Sequence, residues 1–184
     1  MRILIAGAAG AVAMYIWMTV AHMATPLGMI GWQPLPDEAP IISTLQGGIT
    51  KPGLYMYPWV DMKAKDAMKQ YEEKVKTTAS GMLLFAPPPG KGMSVTQLAT
   101  EFATELVECL IAAWLLAQAA IAAFAGRVLF VAGVGAAASI ATNVPTWNWY
   151  GFPLDYTLAQ VATLFIGYVI AGIAIAFLLK PKAA

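Results

Sequence analysis

Three glutamates stand at steps of four and three in TEFATELVECLIAAWLLAQ (Thr100–Gln118): Glu101, Glu105 and Glu108. On a helix those steps put them within about 60° of one another, on one face. Crowded carboxylates of this kind can hold a cation or relay a proton, since either relieves their mutual repulsion. A blander alternative is a wet face that meets a neighbouring domain. His22, Asn143, Asp155 and Gln160 are the candidate neighbouring polar groups. Each has a local explanation as well: Asp155 as a helix N-cap, Asn143 in a turn into Pro145, His22 as an interfacial packing residue. For a metal of unknown identity the candidate ligands are His22, Glu105 and Glu108. Met14, Met18 and His22 share a helical face, and with Cys109 they would suit Cu(I), although methionine is also a common packing residue. No nucleophile–histidine–acid set is present, nor any nucleotide, haem, flavin or quinone fingerprint. The residues therefore indicate no cofactor and no catalytic group, and whether the chain is an enzyme stays open, leaning to no.

The elements that must position these groups are membrane helices. Of 184 residues, 59% are hydrophobic and only 11% charged, where soluble domains carry roughly a quarter charged residues. A net charge of +1 and the lack of a basic patch give no sign of a nucleic-acid partner. One cysteine excludes an intrachain disulfide, and one histidine argues against a multi-haem protein. Four apolar segments are long enough for a ~30 Å hydrocarbon core: Ile3–Met23, Leu106–Ala125, Val128–Val144 and Leu158–Leu179. Arg2, Arg127, Lys180 and Lys182 then fall on one side, which the positive-inside rule makes the cytoplasm. Segment one lacks a clean cleavage site and is expected to be a retained helix rather than a signal peptide.

The predicted fold class is an all-α membrane protein with four transmembrane helices, N-in/C-in, and a small α/β extracytoplasmic domain inserted between helices 1 and 2. Its expected divisions are helix 1 over 1–24, the cap domain over 25–94, and long helix 2 over 95–126 with its membrane part at about 106–125. Helix 3 follows over 127–145, an aromatic outer loop over 146–156, and helix 4 with a cytoplasmic tail over 157–184. Within the cap, a helix is predicted from after Asp37 to Gly47–Gly48, and strands at GLYMY and MLLF. A second helix is predicted over Val60–Ala79, where apolar residues keep a helical spacing. So small a sheet is expected to pack on the outer ends of the spans.

Ser94 and Gln97 form a capping box that should start helix 2 at Val95. Measured back from Arg127, Glu108 then lies at the outer edge of the hydrocarbon, with Glu101 and Glu105 above it. The turn TWNWYGFPLDY supplies Trp147, Trp149, Tyr150 and Phe152, suited to an interfacial belt or an aromatic docking loop. Small residues in segments one and three, and at Gly167 and Ala171, permit close helix contacts within the chain or between copies.

HMATPLG, LPDE, PGLYMYP, SVTQLATEF and WNWYGFP together resemble a family of small four-span bacterial membrane proteins of unknown activity. That resemblance implies the bacterial inner (cytoplasmic) membrane, both termini cytoplasmic and residues 25–94 periplasmic; it implies no activity. The leading functional expectation is a non-catalytic accessory or assembly subunit, in contact with the lipid bilayer and docked to a protein partner or to itself. The alternatives are a metal-binding or enzymatic site at the outer leaflet, built on the glutamate face with His22, and a small oligomeric transporter.

Overall fold

The computed structural model describes residues 1–90 and 92–180. The chain is mostly helical with one small sheet, and it divides into two compact units, one of Met1–Trp32 with the chain from Met93 on, the other of Gln33–Gly92. Residues 25–32 thus belong with the long helices. A 3-10 turn over Pro26–Met29 lies against the last turn of α1 (Arg2–Met23), and Trp32 meets Tyr156 edge-on at 6.0 Å.

The smaller unit holds α2 (Glu38–Gly48), β1 (Gly53–Tyr57), α3 (Ala67–Val75) and β2 (Gly81–Phe85). β1 and β2 pair antiparallel, Gly53 opposite Phe85 and Tyr57 opposite Gly81. The helix expected from Val60 starts only at Ala67. Asp61 Oδ1 accepts the Lys63 N–H at 2.9 Å, a local bond that competes with helix, and Asp66 takes a left-handed φ of 63°. Lys74 Nζ donates to the Trp59 carbonyl at 2.8 Å and ties α3 to the stretch after β1.

The helical unit adds α4 (Val95–Gln118), α5 (Phe124–Tyr150) and α6 (Leu154–Leu178). α1 lies between α4 and α6, and α6 packs along α5; α4 and α5 touch little. Small residues make the close approaches, all within the chain. A Cβ on Gly7 would meet Leu110 of α4 at 2.7 Å, and one on Gly10 would meet Ile175 of α6 at 2.7 Å. Gly135 of α5 leaves room for the Tyr168 side chain of α6. Trp17 Nε1 donates to the Thr163 carbonyl at 2.8 Å and pins α1 to α6. Three helices, α1, α5 and α6, are long and apolar enough to cross a membrane, and their exposed faces (Leu4, Ile16, Leu129, Phe165, Phe177) suit contact with a bilayer. α4, with its three glutamates, is not among them.

Several boundaries differ from those expected. α4 begins at Val95, with both capping-box bonds made: Ser94 Oγ accepts the Gln97 N–H at 3.2 Å and Gln97 Oε1 accepts the Ser94 N–H at 2.8 Å. It stops at Gln118, however, not near Ala125. The connection is residues 119–123, and Arg127 lies in the first turn of α5 rather than in a turn. From there its Nη1 donates to the Leu179 carbonyl at 2.8 Å, so a cation caps the C-terminal end of α6, where the helix dipole favours one. Pro145 does not close α5 but lies inside it. Thr142 Oγ1 donates to the Ala138 carbonyl, Asn143 Nδ2 to Ser139 and Thr146 Oγ1 to Asn143, all at 2.7–2.9 Å, bonds along the turns around Pro145, whose missing N–H costs the Ala141 carbonyl its helical donor. Asn143 therefore supports a helix, not a turn. The expected aromatic loop is mostly helix: Trp147, Trp149 and Tyr150 form the last turns of α5, and only Gly151–Pro153 are irregular. Gly151, at φ 72°, ends α5 through its N–H to the Trp147 carbonyl, with Phe152 bonded back to Thr146. Pro153 precedes α6, so Asp155 is a first-turn residue rather than the N-cap; its Oδ1 accepts the Tyr156 N–H at 2.8 Å. Pro181 and Lys182 lie outside the described residues.

Candidate functional site

α4 seats one face on α1. Phe102 meets Tyr15 edge-on at 5.5 Å, Cys109 is fully buried with its Sγ 3.9 Å from Met14 Sδ, and Leu110 faces Gly7. Glu105 belongs to this face, between Phe102 and Cys109. It is 3% exposed, and among the described residues neither carboxylate oxygen has a hydrogen-bond partner. Glu108 is half-buried, and Tyr168 Oη, coming from α6, donates to its Oε2 at 3.2 Å. Glu101 is exposed.

The two antiparallel contacts, Gly7 with Leu110 and Tyr15 with Phe102, set the register of α1 and α4. They place Glu105 level with Val12, at the middle of α1. The glutamates are therefore deeper, relative to the apolar helices, than their distance from Arg127 suggests. Ending α4 at Gln118 instead of Ala125 removes seven residues, about 10 Å of rise. Around Glu105 and Glu108 the bundle supplies the Met14 thioether, the Cys109 thiol and the Tyr168 hydroxyl. Tyr168 is 4% exposed, and its close approach to α5 depends on Gly135 having no side chain.

Other sequence candidates are spread along the unit. His22 lies ten residues from Val12 on α1, roughly 15 Å along the axis; it is exposed, with Nδ1 2.9 Å from the Met18 carbonyl oxygen. The set His22, Glu105 and Glu108 is thus not gathered at one point. Met14 and Cys109 do meet, Met18 is half-buried one turn on from Met14, and His22 stands apart from the sulfur pair. Asp155 and Gln160 are thirteen and eight residues from Tyr168 on α6, about 20 Å and 12 Å along the axis. Trp147, Trp149 and Tyr150 are exposed, while Phe152 is half-buried against Tyr156 at 5.6 Å. Among the described residues no three His, Cys, Asp or Glu side chains converge as metal ligands.

Tyr168 was not singled out from the sequence. Its signal is a lone tyrosine inside the apolar run TLFIGYVIAG, where a buried hydroxyl needs a partner. Chemically, a carboxyl with two enclosed oxygens and no internal donor, beside a second carboxyl that has one, can exchange a proton between them or bind a small cation. Comparison of the chain with protein-family models, with curated proteins and with solved structures gives no match.

Proposed function

We propose an integral membrane protein of four spans whose centre carries one exchangeable proton on the Glu105–Glu108 pair. The observation that carries this is Glu105: almost fully enclosed at mid-bundle, with both oxygens unpartnered. An unpaired carboxylate in such a place costs several kcal/mol, and an ionisable group within a membrane bundle is by default a functional site. One bound proton removes that cost, whereas a divalent ion asks for more oxygen donors than two carboxylates and a tyrosine supply.

The fourth span in this reading is α4. Its outward face below the glutamates, Val107, Ile111 and Trp114, is apolar and more than half exposed, as a lipid-facing stripe would be. Arg2, Arg127 and Lys180 would mark the cytoplasmic end, leaving the 33–92 unit outside, in a bacterial cell the periplasm of the inner membrane. Cysteines placed at Lys69 and Lys182 in a Cys109→Ala background should be labelled by an impermeant reagent from opposite sides. Labelling of both on intact cells would overturn the threading.

The proton site is tested by infrared titration of the purified protein. One carboxyl band should vanish in Glu105→Gln and shift its titration in Glu108→Gln. A spectrum unchanged by Glu105→Gln would sink the reading.

A second reading, a non-catalytic accessory subunit, is favoured by the exposed Trp147, Trp149 and Tyr150 at the end of α5, Trp149 being 76% exposed. Aromatic residues of this kind anchor protein partners as well as interfaces. Native mass spectrometry after gentle extraction should show a bound partner; a lone monomer under several mild conditions would count against it.

A further inference from the structure

At the end of the bundle opposite the aromatic residues, an open-mouthed cavity of about 620 Å³ lies between the start of α1, the 119–123 connection and the end of α6. Its charged side chains are Arg2, Arg127 and Lys180, all cationic, and among the described residues no aspartate or glutamate borders it. Arg127 is 7% exposed; Nη1 is held by the Leu179 carbonyl, while Nε is enclosed and has no partner among the described residues. Arg2 and Lys180 are exposed at the rim, and Ile3, Leu116 and Ile121 supply apolar wall.

Three cations without a counter-charge, one of them buried with an unused donor, call for an anion with several acceptor oxygens. The volume lies within the range of small-ligand sites, and guanidinium groups match the geometry of phosphate oxygens. The apolar wall beside the charges suits a ligand that is anionic at one end and greasy at the other. We propose that this cavity is a phosphate-binding site, filled by the headgroup of an anionic phospholipid whose chain follows the apolar wall. Free phosphate offers the same oxygens without the chain.

The test uses the full chain in mild detergent and native mass spectrometry, titrating a short-chain phosphatidylglycerol, the phosphatidylcholine of equal chain length, and inorganic phosphate. The expected result is saturable binding of one phosphatidylglycerol, at least tenfold tighter than phosphatidylcholine, with inorganic phosphate competing weakly. The double variant Arg2→Gln/Lys180→Gln should lose most of that preference, and Lys63→Gln/Lys65→Gln, which removes the same charge from the other unit, should keep it. Inorganic phosphate binding as tightly as the lipid would uphold the anion site and name free phosphate as its occupant. Equal binding of the two lipids with no phosphate binding, or equal losses in both double variants, would overturn the proposal. Arg127 is left intact because it also holds the end of α6.

Discussion

Glu105 and Arg127 are two ionisable side chains shut away from solvent in one bundle, and the chain treats them in opposite ways. Arg127 sits where α6 ends, its Nη1 on a terminal carbonyl and its guanidinium 5.9 Å from the Phe124 ring centroid. A helix C-terminus offers unpaired acceptors and the negative end of a dipole, so a cation there has ready compensation. Glu105 is mid-helix, ten residues past the first residue of α4, beside a thiol and a thioether that offer it little. The difference separates a charge that fastens two helices through one bond and keeps a single donor free from one with no bond to any described neighbour. Buried charge alone therefore says little about function; what partners it has says more.

The largest effect is expected where α5 meets α6 beside the glutamates. Gly135→Val should force Tyr168 from its place and destabilise the protein by about 3 kcal/mol or more, the upper part of the overpacking range. A normal melting temperature in that variant would refute the Tyr168–Gly135 contact. Arg127→Met should cost about 2–3 kcal/mol, because the Leu179 carbonyl loses a charged donor. Glu105→Met should do the reverse and stabilise the fold by about 1–3 kcal/mol, since an apolar side chain of similar size replaces a buried carboxyl group without hydrogen-bond partners. The same sign of stability change in these two variants would erase the distinction drawn between them. The smallest stability effect is expected for Tyr168→Phe, about 1 kcal/mol. In function, Glu105→Gln and Glu108→Gln should change proton titration more than Glu101→Gln, whose parent residue is exposed. Parity among the three would reduce the glutamate face to a solvated edge.

The local signals that could be read from the residues were those with stereochemical cause. Ser94 and Gln97 bond as a capping box must, and GLYMY ends where Pro58 stops it. The α4–α5 connection gave no such signal: AQAAIAAFAG is rich in alanine, the best helix former, with no residue that demands a break. With α5 starting at Phe124, Arg127 reaches Leu179, a tertiary bond between positions 52 apart that no local pattern reveals. That shift carried the glutamates to mid-bundle and showed Glu105, not Glu108, to be the most enclosed of the three. Pro145 misled for a related reason. Its stop signal is local, whereas α5 runs through it to Tyr150 and forgoes one backbone bond, that of the Ala141 carbonyl.

The Trp17–Thr163 bond has a bearing on synthesis. Its partners are separated by 146 positions, so at roughly 5–20 residues per second the indole waits about 7–30 s for its acceptor to be made. Throughout that interval the Gly10 surface of α1 is without α6, which later covers it. The first helix to leave the ribosome is thus among the last to be fully packed, and a delay in translation between codons 33 and 92 lengthens its exposure to misassembly.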